Sequence, residues 1–328
     1  MNSSNKKKLN PNGKYIAIYS DNTIIIFDVA NMSIPIRTIN IGSYIVTDLT
    51  RISWSNDGKS ILYNIGSIIF RYLIITNKID QYIPFSSPPG NHPNAISSYQ
   101  LSPNNQNHIA CGYQWSGLII YNINKQKIIF DSYSLTNLEE VYQIEWSKNG
   151  QYIAAGGKRG NKPIIIVFDV TSNRIVAEYT RHQGVISSIS WNNDNNTIVS
   201  SSKNDKTIQI WKIQDTEYKK YERNPLLLII KFPSKEVRPN IEIQSKANIV
   251  LWHPNNKNII SCEYNTQNIT IWNGESGVSV YSFGTINPIT SILLNLNGDK
   301  IIAATNNGII EQFNFAINNN SINPTAKL

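Results

Sequence analysis

The chain has 328 residues, 30 Lys and Arg against 22 Asp and Glu, and a formal net charge of +8. Hydrophobic residues make up 41% and charged residues only 16%, so there is material for a sizeable core and too little charge for a disordered or histone-like chain. No run of 18 uncharged apolar residues occurs, which excludes a conventional membrane-spanning helix, and Met1 to Lys8 is polar, with three lysines and no apolar stretch of signal-peptide type.

In chain order, the elements fall into similar groups. An apolar residue followed by a polar turn recurs at Leu9, Trp54, Leu101, Trp146, Trp191, Trp252 and Leu294, at intervals of 45, 47, 45, 45, 61 and 42 residues. The turns are of one kind: Asn10-Pro11-Asn12-Gly13, Ser55-Asn56-Asp57-Gly58 and Ser147-Lys148-Asn149-Gly150 are three of them. The fifth group is clearest. Strand a is predicted over Val185–Trp191 and strand b over Thr197–Ser202. After a turn at Asn204-Asp205-Lys206, strand c follows over Thr207–Lys212, where Ile208 and Ile210 alternate with Thr207 and Gln209. Strand b recurs as Tyr15–Tyr19, Ser60–Tyr63, Ile109–Gly112, Tyr152–Gly156, Ile259–Glu263 and Ile301–Thr305. Strand c recurs as Thr23–Asp28, Ser67–Tyr72, Leu118–Asn122, Ile164–Asp169, Ile269–Asn273 and Ile309–Phe313. Strand d is visible as Arg37–Ile41, Gln81–Phe85, Lys127–Asp131, Arg174–Tyr179 and Val278–Phe283.

A period near 40–45 residues with four strands per unit is the signature of a β-propeller. The predicted fold is therefore all-β: a seven-bladed β-propeller of four-stranded antiparallel sheets over residues 9–317, between polar tails at 1–8 and 318–328. Two places break the pattern. The 61-residue interval carries a charged insert within 214–245, in which Leu226 to Ile230 supplies strand d. The last repeat runs into Asn318-Asn319-Asn320 with no convincing strand d, which predicts an incomplete last blade with an open edge.

The residues Arg181-His182-Gln183-Gly184, Trp191, and Asn204-Asp205-Lys206-Thr207-Ile208-Gln209-Ile210-Trp211 resemble a WD-repeat protein, and the resemblance extends from about Leu9 to Phe315. It implies a buried hydrogen-bonded tetrad of His182, Ser200, Asp205 and Trp211, because a buried imidazole and a buried indole N–H both need partners. The other repeats are degenerate. Trp115 and Tyr121 replace the Asp and Trp in the third, the sixth keeps Ser261 and Trp272, and Phe27-Asp28 and Phe168-Asp169 stand for Trp-Asp in the first and fourth.

Residues for catalysis or metal binding are not grouped. The four histidines, His92, His108, His182 and His253, lie apart in the sequence, and no Gly-x-Ser-x-Gly occurs. Gly156 to Lys162 lacks the phosphate-loop spacing and reads as a flexible loop between strands b and c. Glu139-Glu140 would point apart in an extended chain. Cys111 and Cys262 each follow their anchor by ten residues, in different repeats, and read as reduced, buried strand residues. The expectation is a protein of the cytoplasm or nucleus that is not an enzyme and needs no cofactor.

Propellers of this kind usually bind through the face made by d-to-a and b-to-c loops. The repeat alignment places His92 and Arg181 in d-to-a loops and Trp115, Lys158, Arg159, Lys203 and Tyr264 in b-to-c turns. Basic and aromatic side chains together suit an acidic or phosphorylated peptide or protein. The expected role is an adaptor subunit of a larger complex. RNA bound through the basic loops is the alternative.

Overall fold

The computed structural model describes residues 6–20, 22–29, 34–41, 51–84, 96–113, 117–132, 138–202, 204–213, 226–231, 248–263, 265–307, 309–318 and 321–327. These residues form β-strands joined by turns, and none of their elements is a helix long and apolar enough to cross a membrane.

The strands make seven four-stranded sheets, each taken in chain order, the architecture of a seven-bladed β-propeller. The first holds β1 Lys6–Leu9, β2 Tyr15–Ser20, β3 Thr23–Asp28 and β4 Arg37–Asn40. The second holds β5 Ile52–Trp54, β6 Ser60–Ile65, β7 Ile68–Leu73 and β8 Lys78–Pro84. The third holds β9 Ile96–Leu101, β10 His108–Tyr113, β11 Gly117–Asn122 and β12 Lys127–Asp131. The fourth holds β13 Glu140–Trp146, β14 Tyr152–Arg159, β15 Lys162–Asp169 and β16 Arg174–Tyr179. The fifth holds β17 Ile186–Trp191, β18 Thr197–Ser202, β19 Thr207–Lys212 and β20 Leu226–Lys231. The sixth holds β21 Asn248–Trp252, β22 Asn258–Glu263, β23 Asn268–Asn273 and β24 Ser279–Gly284. The seventh holds β25 Ile289–Leu294, β26 Lys300–Thr305, β27 Ile310–Asn318 and β28 Ser321–Lys327.

Every anchor residue ends the first strand of its sheet. The polar residue after it then closes the hairpin through its backbone N–H, as in Ser55 N to Ser60 O at 2.9 Å and Asn192 N to Thr197 O at 2.9 Å. Four residues past the anchor the chain adopts positive φ at Gly13, Gly58, Gly150, Asn195, Asn256 and Gly298. Glycine and asparagine tolerate that conformation best, which accounts for their recurrence in these turns. The repeat is thus a repeated hairpin geometry. Two of the anchor tryptophans also join neighbouring sheets: Trp54 Nε1 donates to Lys8 O at 2.9 Å and Trp191 Nε1 to Glu145 O at 3.0 Å.

The chain divides into two compact units, Met1–Ile144 with Thr290–Leu328, and Glu145–Ile289. In the first unit, Ile61 and Tyr63 pack with Ala17, Ile24 and Ile26 of the first sheet, while Leu62 between them packs with Ile109 and Tyr99 of the third. In the second unit, Ile198 packs with Ile165 and Val167 of the fourth sheet, while the adjacent Val199 packs with Val250 and Ile259 of the sixth. Alternate residues of a strand point to opposite faces, so a strand buried on both faces reads as a continuous apolar run.

The structure differs from the sequence reading in three places. The 318–328 tail is not strand-free: Ser321–Lys327 pairs with β27 through Ala316↔Asn323 and Ile317↔Ile322 and takes the place of the missing outer strand. At the other end, Lys6–Lys8 of the predicted tail belong to β1 and pair with Ala17 to Tyr19. Gly156 to Lys162 is not a loop. β14 and β15 continue to Arg159↔Lys162, and Gly160 with φ 57° turns the chain between them. In the insert, Leu226–Lys231 does form the outer strand, paired with β19; the rest of 214–245 lies outside the described residues.

Candidate protein-interaction face

One end of each sheet carries the start of strand a and the turn between strands b and c. In the fifth sheet these are the residues before β17 and the turn between β18 and β19. The segment passes so close to the turn that a Cβ added at Gly184 would lie 2.4 Å from the Asn204 Cβ, which only a glycine avoids.

The predicted tetrad is assembled here. His182 Nδ1 lies 2.9 Å from Asp205 Oδ2, and His182 Nε2 lies 2.9 Å from Ser200 Oγ. Trp211 Nε1 donates to Ser200 Oγ at 3.2 Å. One proton arrangement satisfies all of them. Nδ1–H donates to the carboxylate, Nε2 accepts the Ser200 hydroxyl, and the hydroxyl oxygen accepts the indole N–H.

Asp205 is the hub. Beyond His182 it accepts the Gln183 N–H at 2.9 Å, the Thr207 N–H at 2.9 Å and the Thr207 hydroxyl at 2.8 Å. Burial raises its pKa, but the hydrogen bond from the His182 ring, with the Gln183 and Thr207 donors, outweighs it, so the carboxyl titrates below its ordinary value.

The sequence reading missed a second layer. Tyr179, the last residue of β16, stacks on Trp211 with ring centroids 4.5 Å apart and meets the His182 ring edge-on at 5.9 Å. Its hydroxyl donates to Gln209 Oε1, and Gln209 Nε2 donates to Thr207 Oγ1 at 2.9 Å. A chain of hydrogen bonds therefore runs from the fourth sheet to Asp205. The signal was faint: an aromatic three residues before the tetrad histidine, and a polar residue inside the apolar β19.

The sixth sheet keeps half of this arrangement, Trp272 Nε1 to Ser261 Oγ at 2.8 Å. The b–c turn of the sixth sheet is tied instead to the segment that enters β25, with Ile289 N to Thr266 O at 2.7 Å, Asn265 N to Ile289 O at 2.9 Å and Gln267 Nε2 to Ile286 O at 2.7 Å.

Among the partner-binding candidates, Arg181 is exposed and directly precedes His182, so the buried tetrad fixes its base. Lys158 and Arg159 end β14 and are half-buried. Arg159 does not stand as an unpaired rim charge. Its Nη2 and Nη1 reach the two carboxylate oxygens of Glu178 at 2.8 and 3.2 Å, a forked pair that balances the guanidinium charge within its own sheet, although its buried Nε has no hydrogen-bond partner among the described residues. His92, Trp115, Lys203 and Tyr264 lie outside the described residues.

His108 and His253 have structural partners. His108 Nε2 faces the side-chain amides of Asn105 at 3.3 Å and Asn122 at 3.2 Å, and His253 Nδ1 accepts the Asn255 N–H at 3.1 Å. Cys111 and Cys262 are free and fully buried, and burial pushes both thiols far above their ordinary pKa. No group of three His, Cys, Asp or Glu that could hold a metal occurs among the described residues.

Residues 173–212 match the family model for the WD domain, G-beta repeat. This WD repeat starts beside β16 and ends with β19, so it contains the whole tetrad and Tyr179. Among curated proteins, none matches the chain. Among solved structures, the chain is similar to the β-propeller domain of Cps50 (Swd1) from Myceliophteria thermophila, with a TM-score of 0.70 over 95% of this chain and 97% of that one. The two are 16% identical, so the likeness shows the propeller fold. Matches extend to 1703 chains, and a fold so widely shared does not by itself choose a function.

Proposed function

We propose that this chain is a non-catalytic interaction scaffold, an adaptor subunit of a multiprotein complex that binds a partner protein or peptide where entering segments and b–c turns meet. The tetrad with Tyr179 and Gln209 carries the reading. It spends a buried, fully bonded polar network on fixing one short exposed segment, Arg181 to Val185, against a turn. Rigid presentation of exposed groups lowers the ordering cost of binding. Arg181 gives that segment a positive charge suited to an acidic or phosphorylated partner, and the buried free thiols fit the cytoplasm or nucleus.

The test is affinity purification with the wild type, Arg181→Glu and Trp115→Ala, and with Lys257→Glu at the opposite end of the sixth sheet. Loss of the same partners in the first two variants but not the third is expected. An unchanged partner set in both would count against this face. The net charge of +8 favours a second reading, an RNA-associated subunit. In that case RNA would be retained in the purification and released steeply as salt rises.

A further inference from the structure

Arg51 directly precedes β5 in the first unit, at the same end of its sheet as the b–c turn containing Gly66. Its main chain is held by hydrogen bonds. Arg51 N donates to Asn64 Oδ1 at 2.7 Å, and its carbonyl accepts the Asn64 N–H at 3.3 Å. The Tyr99 hydroxyl lies 2.9 Å from the Arg51 carbonyl and 2.9 Å from the Leu62 carbonyl, its proton shared between them. Asn64 is fully buried, its Nδ2 donating to Gly66 O at 3.2 Å, and Tyr99 is buried as well. Both are packed in place, so the point from which the Arg51 side chain departs is fixed.

The side chain itself is unused. Its Nε is buried, and among the described residues it has no hydrogen-bond partner and the guanidinium has no carboxylate paired with it. Arg159, by contrast, is neutralised by a forked contact with Glu178. Burial lowers the Arg51 pKa from its ordinary value and Tyr99 opposes that shift, while burial holds the tyrosine itself well above its ordinary pKa and therefore neutral. An arginine stays protonated in such a place. The result is a half-buried cation with a planar fork of donors and, among the described residues, no anion to match it. Partial exclusion of water strengthens its attraction for an oxyanion.

We propose that Arg51 is the receptor for a single oxyanion, the carboxylate or phosphoryl group of a partner's side chain, held by both arms of the guanidinium. The proposal rests on the interaction face described above and deepens it by naming an anchoring point. One isolated guanidinium suits a side-chain anion better than a nucleic-acid backbone, which needs a run of cations along its track.

The experiment follows the arginine Nε–Hε resonances of 15N-labelled protein by NMR. Inorganic phosphate and acetate are titrated in separate arms, with chloride keeping the ionic strength constant. One resonance should shift saturably in the millimolar range, and it should be missing from Arg51→Lys protein. In that variant the charge remains but the fork is lost, and its phosphate-induced rise in Tm should be at least several-fold smaller. The arm that saturates first identifies the anion, phosphoryl or carboxylate. No saturable shift, or the same rise in Tm in Arg51→Lys, would overturn the assignment. Unchanged partner capture by Arg51→Gln, with anion binding confirmed, would also overturn it as a partner contact. The wider face would still stand if Arg181→Glu loses the same partner.

Discussion

At the residue scale, Asp205 decides how the fifth sheet responds to acid. Its carboxyl titrates lower in the folded protein than in the unfolded chain, where the value is about 3.9. A group depressed in this way contributes stability that is fully present above the unfolded pKa and is lost as pH falls through the folded one. The stability gap between wild type and Asp205→Asn, followed by urea unfolding, should therefore be level from pH 7 to about 5 and narrow below about 4. At neutral pH it should be on the order of 2–3 kcal/mol, since the change disturbs several buried hydrogen bonds. A gap that stays constant down to pH 3 would mean that Asp205 is not held by these donors. The tetrad was legible in the sequence because the repeat pattern aligned its members. Tyr179 and Arg51 were not, because each acts through contacts with a neighbouring sheet that no local spacing encodes. Arg159 was legible only as a charge, and its pairing with Glu178 depends on the extended hairpin of β14 and β15.

At the scale of elements, inner and outer strands differ in how much of themselves they reveal. β18 and β6 are buried on both faces, and each shows it by adjacent apolar residues, Ile198 and Val199 in one and Ile61, Leu62 and Tyr63 in the other. Outer strands carry one free edge and face solvent more, as in β24, where Ser279, Val280, Ser282 and Gly284 are exposed. β28 is the extreme case. Its sequence Ser321-Ile322-Asn323-Pro324-Thr325-Ala326-Lys327 lacks a clear apolar face and includes a proline, which an edge strand tolerates and an inner strand does not. For that reason the last repeat looked incomplete. Deleting residues 319–328 should unpair the outer side of β27 and speed amide exchange there at least tenfold, while β26 stays protected by its pairing with β27. Unchanged exchange in Ile310–Asn318 would show that β28 does not pair in solution.

At the scale of the whole molecule, lysines stand at both kinds of sheet end. Lys59, Lys148, Lys257 and Lys300 stand at the a–b turns, and Lys158, Lys162, Lys203 and Lys206 stand at the b–c turns of the fourth and fifth sheets. The hairpin geometry that repeats along the chain made the propeller legible. The partner was not legible, since the residues that would meet it come from separate repeats and none carries a motif of its own. The distribution of lysines nevertheless allows the central claim to be tested directly. The chain should be captured with its partners from cells, treated with an amine-reactive cross-linker, and mapped by mass spectrometry. The account predicts that links to partners concentrate at Lys158, Lys162, Lys203 and Lys206. Links concentrated at Lys59, Lys148, Lys257 and Lys300, with none at the b–c turns, would contradict it.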